Sequence, residues 1–313
     1  MSKKTMINET HIEGWLYQHA LTLRTSGENS KNPGTQYING TIDIATDNAL
    51  LNIVSVHFTY VTAKTKNNAD NATFTLLKNI INGTVYNVME HGIDKAAKLR
   101  IDSALGLNEF ISTRTGAEEL VSIKRNEGGF VHTVQTIADD EKLRNTFKCD
   151  MVITGAREVE ANEERNQPEQ VKVKGYVFDF RKALLPVEFT ALNKLAMNYF
   201  MDLEASEKHP VFTKVWGRQL SQVTIVKSVE ESAFGEQSVT ETSYTNRDFI
   251  ITGAATTPYD WDDESTLTAA EFKEMLANRE IAVAEIKRRQ DEYNASRNQS
   301  EQSAIPAANG FNF

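Results

Sequence analysis

A single cysteine in 313 residues rules out an internal disulfide, and Cys149 sits in the apolar run 147–159, where it reads as a small buried hydrophobe. No apolar stretch nears the roughly eighteen residues of a membrane helix. The opening MSKKTMINET lacks the apolar centre of a signal peptide, so the expected location is the cytosol. Catalytic signatures are missing as well. The six histidines (11, 19, 57, 91, 132 and 209) show no paired metal-ligand spacing, and Gly-x-Ser-x-Gly does not occur. Arg125-Asn-Glu-Gly-Gly129 lacks the lysine of a phosphate loop and reads as a tight hairpin turn. The triplets Asp139-Asp140-Glu141 and Asp262-Asp263-Glu264 lie in polar connectors and read as solvated rather than as magnesium holders. The expectation is a non-enzyme without a cofactor.

Positive charge is also in short supply. A net charge of −9 argues against coating duplex DNA by bulk electrostatics. The deficit is uneven, however: from Pro258 onward there are eleven acidic and six basic residues, which leaves only −4 on the first 257. A nearly neutral body with an acidic appendage has room for a local basic groove.

Against these absences, phenylalanine (15) and tyrosine (9) are well supplied, and two stretches place aromatics beside cations. In 170–181, QVKVKGYVFDFR, strand alternation puts Val171, Val173, Gly175 and Val177 on one face. The other face carries Lys172, Lys174, Tyr176, Phe178 and Phe180, with Arg181 following. In 211–218, VFTKVWGR, one face reads Phe212, Lys214, Trp216, Arg218. Such faces suit a surface that stacks bases and holds phosphates. The alternative is ordinary core with basic residues snorkelling at its edge.

The whole chain alternates in strands. Residues 12–23, 37–45 and 50–61 are expected strands, with Val54, Val56, Phe58 and Tyr60 sharing one face of the third. A polar loop, a helix over 72–82 closed by Gly83, and short strands at 99–103, 120–125 and 130–135 follow. Strands at 147–159, 170–181, 184–189, 212–218, 223–229, 238–243 and 249–254, with a helix within 191–205, complete a second set. A weak repeat links the sets. Ile38-Asn-Gly-Thr-Ile, Ala49-Leu-Leu and Val56-His-Phe-Thr59 match Val173-Lys-Gly-Tyr-Val, Ala183-Leu-Leu and Val187-Glu-Phe-Thr190. Three strands, a helix and two strands, used twice, is the order of tandem five-stranded OB (oligonucleotide-binding) barrels; a β-sandwich would alternate in the same way. The expected organisation is a first OB-like domain over 1–145 and a second over 146–257. An acidic linker and amphipathic helix over 258–295 and a disordered tail over 296–313 complete it. The helix opens on the capping box Thr268-Ala-Ala-Glu271, ends near Tyr293, and carries a stripe of Phe272, Leu276, Val283, Ile286 and Tyr293 interrupted by Arg279 and Gln290.

With its tandem strand–helix pattern, aromatic-basic faces and tail ending in Phe313, the chain resembles the single-stranded DNA-binding proteins of tailed bacteriophages in a two-barrel form. The resemblance implies non-catalytic, sequence-independent binding of single-stranded DNA in phage-type replication or recombination, in the host cytoplasm. It also implies docking of replication or recombination proteins through the C-terminal helix or tail, although 307–312 contain no acid, unlike the acidic run that precedes the family's terminal aromatic. Expected stackers are Tyr176, Phe178, Phe180 and Trp216; expected phosphate contacts are Lys172, Lys174, Arg181, Lys214 and Arg218. In the first domain, whose surface is less basic, the candidates are Tyr37, His57, Lys98, Arg100 and Lys124; binding is expected to concentrate in the second barrel, with the first structural or dimerising, making a homo-oligomer one expectation. The competing reading is a structural or assembly protein built from all-β domains.

Overall fold

The computed structural model describes residues 5–114, 116–162, 167–230 and 238–303, with the side chains of all of these except 222–247 and 296–303. The first unit contains β1 (Asn8–His19), β2 (Thr22–Thr25), β3 (Gln36–Ala45), β4 (Ile53–Thr62), α1 (Ala72–Ile81), the single turn α2 (Val88–His91), β5 (Lys98–Ser112) and β6 (Glu119–Thr133). Strand β1 pairs antiparallel with β3 and β5, β3 with β4, and β5 with β6; β4 and β6 close the ring in parallel. This is the connectivity of a five-stranded OB barrel, with α1 between its third and fourth strands. Inward residues such as Ile12, Ile42, Val56 and Leu99 fill the interior, and Phe74, Leu77 and Ile80 of α1 plug one end. Asn71 caps that helix through its side chain, and Gly83, at φ 71°, ends it.

The second unit repeats the plan with β7 (Asn145–Val159), β8 (Gln170–Phe178), β9 (Leu184–Ala191), α3 (Lys194–Asp202), β10 (Val211–Glu230) and β11 (Ser238–Ala254). Its closures are β7–β8, β8–β9, β10–β11 and β10–β7 antiparallel, with β9–β11 parallel. The sequence repeat maps onto the second and third strands of the two barrels. Gly40 and Gly175 occupy equivalent points of β3 and β8. A Cβ at either would meet the carbonyl oxygen of Ala20 or Val152 at 2.1 or 2.2 Å, so only glycine lets the neighbouring backbone approach. Val56 and Phe58 are buried in one barrel, Val187 and Phe189 in the other.

The barrels share one sheet, because β1 also pairs with β7 from Asn8↔Cys149 to Ile12↔Asn145. Around that seam Asn126 and Gln219 exchange side-chain amide hydrogen bonds of 2.8 Å, and Asn145 donates to the Gln219 carbonyl. These buried amide hydrogen bonds tie one barrel to the other, although the Asn145 side-chain oxygen itself has no partner among the described residues. Beyond β11 the chain returns across barrel two and enters α4 (Ala269–Ser303), which crosses to β5. There Arg279, an interruption in the apolar stripe, makes a bidentate pair with Glu109, both side chains largely but not fully covered.

Three expectations change. Residues 126–129 are no hairpin turn: β5 and β6 run on through 98–112 and 119–133, and Gly128 and Gly129, at φ 67° and 112°, form a bulge between Asp102↔Phe130 and Ala104↔Glu127. Likewise 211–230 is one strand. Helix α4 extends past Tyr293 to Ser303; residues 304–313, with the end of the expected tail and Phe313, lie outside the described residues. Among the described residues no helix is long and apolar enough to cross a membrane.

Candidate nucleic-acid interface

An OB barrel receives its ligand on its second and third strands and the adjoining loops. In barrel one these are β3 and β4. Strict alternation would send Tyr60 inward behind Phe58. Between the pairs Ile38↔Val61 and Gly40↔Phe58, however, β4 spends one more residue than β3. This bulge reverses the phase, so Val61 faces inward opposite Ile38 and Tyr60 turns out. The Tyr60 ring, 46% exposed, lies 4.5 Å from that of Tyr37, tilted by 34°, and its hydroxyl is 3.2 Å from Ser26 Oγ in the β2–β3 loop. Arg24 stands directly across from Tyr37 in the β2–β3 ladder and is exposed, without an ion pair among the described residues. His57, opposite Thr41, borders the same face. Burial, then the nearby Arg125 charge, lowers its pKa against the opposing pull of Glu127, so the imidazole is neutral at physiological pH. Tyr37 and His57 thus lie on the expected surface, and Tyr60 joins them; nothing local in the sequence marks its turn outward, which shows only in the register of β3 against β4.

The corresponding face of barrel two is closed by its own chain. Phe178 is 0% exposed and packs with Val152, Leu184 and Phe212 beneath Leu267 and Phe272. Tyr176 packs on the same cluster, edge to face with Phe272 at 5.9 Å. The cover is tied down by polar bonds: Tyr259 N–H donates to the Phe212 carbonyl at 2.7 Å, its hydroxyl donates to Asp150 at 2.8 Å, and Trp261 Nε1–H donates to the Pro210 carbonyl at 3.1 Å. The alternation in 170–178 is as expected, but the aromatic side faces a second core rather than solvent. Phe178 and Tyr176 are therefore packing residues of this second core and not, as expected, open stacking rings.

The other end of that face is an ionic junction between barrels. Lys172 donates to Asp248 at 2.7 Å and to Thr190 Oγ1. Lys124, reaching over from β6 of barrel one, donates to the Glu188 carbonyl and sits 3.6 Å from Asp248. Burial, then the Lys172 charge, lowers the Lys124 pKa against the raising effect of Asp248. Burial favours the neutral acid at Asp248, but the charge of Lys124 and the hydrogen bonds from Lys172 and Thr190 outweigh it and hold its pKa low. Lys124 and Lys172 are committed to this cluster, which corrects their assignment to phosphate. Lys174 is exposed, 3.5 Å from Glu207. Phe180, 86% exposed, lies past the end of β8 in the β8–β9 turn, with the Arg181 guanidinium 4.9 Å from its ring centre. Neither belongs to the strand face.

The face expected on β10 is observed, and it divides. Phe212 is buried under Tyr259 and Trp261 at 4.6 and 5.7 Å, and Lys214 is half-buried next along the strand. Trp216 and Arg218 emerge into a groove between the barrels. Arg100, 3.5 Å from Asp102 which lines that groove, and Lys98 lie farther along β5. Among the described residues no group of three or more His, Cys, Asp or Glu is placed to hold a metal ion.

The model of the YorF family matches residues 7–289. A search of curated proteins finds no match. Among solved structures, a deletion mutant of the single-stranded DNA-binding protein from Thermus aquaticus aligns with a TM-score of 0.47 at 10% identity, over 83% of this chain and 98% of that one.

Proposed function

The chain belongs to the YorF family, and from that premise we propose that it binds single-stranded DNA, without catalysis and without strong sequence preference, in replication or recombination of the phage type. The observation that carries this reading is the Tyr37–Tyr60 pair, turned outward by a bulge on the second and third strands of an OB-type barrel. Two adjacent aromatic rings on a rigid sheet offer stacking to any base, about 1–3 kcal/mol each. Arg24 and the exposed Lys31 of the β2–β3 loop supply charge for the phosphates beside them. Binding centres on barrel one and not, as the sequence leads one to expect, on barrel two, because Phe272 and its neighbours occupy the matching face of barrel two.

The test is a titration of fluorescent oligo-dT with purified protein at several salt concentrations. The reading expects saturable binding that weakens with salt, with a log–log slope of about −0.7 for each phosphate neutralised. Absence of binding at low salt rejects it.

A further inference from the structure

Two further exposed aromatics on strands lie away from the Tyr37–Tyr60 face. Phe130, 71% exposed on β6, and Trp216, 39% exposed on β10, line one groove of about 1100 Å³ at the seam of the two barrels. Its floor is the outer surface of β1, β5, β7 and β10, the first and fourth strands of each barrel, so it lies on a different side from the second and third strands. Leu143, from the turn Glu141–Leu143, adds exposed apolar surface. An aromatic of this size left in water on a rigid strand marks a contact surface.

The charges on the groove indicate what it contacts. Its three acids are engaged: Glu9 lies 3.1 Å from Lys148, Asp102 lies 2.8 Å from His11, and Asp140 Oδ1 accepts from the Lys142 backbone N–H at 2.9 Å. Arg218 and the Lys142 ammonium, by contrast, have no ion pair among the described residues. Lys98 and Arg100 continue the cationic side along β5. Two open rings with unengaged cations beside them complement a chain that alternates flat bases with phosphates.

We infer that this groove is a second single-strand contact surface, in which Phe130 and Trp216 stack bases and Arg218 and Lys142 hold phosphates. The inference rests on the single-strand reading above and extends it. Strand β1 borders both surfaces, pairing with β3 on one side and with β5 and β7 on the other. A sufficiently long strand therefore passes around barrel one from the tyrosine pair to the seam.

The experiment compares wild type with the double variant Phe130→Ala/Arg218→Ala on oligo-dT of ~8 and ~35 nucleotides, spanning the site sizes of one and of several OB surfaces. It is paired with ultraviolet crosslinking of the longer oligonucleotide and mapping of the crosslinked peptides. Expected are a loss of affinity of at least ~10-fold for the long oligonucleotide in the variant, an unchanged thermal midpoint, and wild-type crosslinks at Phe130 or Trp216. Should the variant prove unstable, Lys142→Glu at its exposed site and the wild-type crosslinks carry the test. Wild-type binding at both lengths with an unaffected variant and no seam crosslinks overturns the groove alone. Absence of wild-type binding at either length overturns the parent reading and the groove with it.

Discussion

Replacing Phe178 by alanine separates two roles that this strand offers equally well from its sequence. The ring is fully buried, 6.1 Å from Phe212 edge to face, and roofed by Leu267 and Phe272. Its removal loses the transfer free energy of a buried aromatic and leaves a void that the β-strands below cannot collapse to fill. Phe→Ala at such sites costs about 3–5 kcal/mol. For a cooperative unit of this size, that lowers the thermal midpoint by roughly 6–20 °C. Affinity for oligo-dT, measured by anisotropy well below the new midpoint, should not change, since the ring touches no solvent. A variant that keeps its midpoint but binds more than ~5-fold more weakly would mean that Phe178 is a stacker and that the roof is absent in solution.

Three further outcomes follow from the charges. Asp248→Asn leaves Lys124 and Lys172 facing each other without their shared carboxylate, and should cost roughly 3–5 kcal/mol in urea unfolding. Stability should also depend on acid. Burial favours neutral Asp248 and Glu109, yet lysine charges at the first and hydrogen bonds from Arg279 and Ser122 at the second hold both pKa values low. A depressed carboxyl pKa contributes stability that is fully present above the unfolded value of about 4 and is lost as pH falls through the folded value. The thermal midpoint should therefore be level from about pH 7 to 5 and fall below about 4. Arg279→Ala removes the bidentate hold of α4 on β5 and leaves the half-buried Glu109 without its cation, so limited proteolysis should cut α4 beyond residue 276 much faster than in wild type.

Much of the fold could be read from the chain because strand alternation and the repeat around Gly40 and Gly175 have local causes. Inward Val56, Phe58, Val187 and Phe189 were identifiable, as was the face Phe212, Lys214, Trp216, Arg218. Alternation says which residues share a face but not which face is wet. Phe178 is dry because a segment about ninety residues later lies on it, and Lys124 is tied to Asp248 across the seam; neither contact leaves a local trace. Tyr60 departs from simple alternation for a different reason. A bulge shifts the phase by one residue, and only the pairing of β3 with β4 shows where. Gly128-Gly129 carries the dipeptide of a turn but serves as a bulge, because positive φ satisfies either.

The most direct measurement is the affinity of Tyr60→Ala for a fluorescent oligo-dT beside that of wild type. Tyr60 is half in solvent and its loss should hardly move the thermal midpoint. Loss of one stacking ring predicts binding weaker by about 5- to 150-fold. Equal affinity of the two proteins would contradict the assignment of the Tyr37–Tyr60 face as the surface that binds single strands.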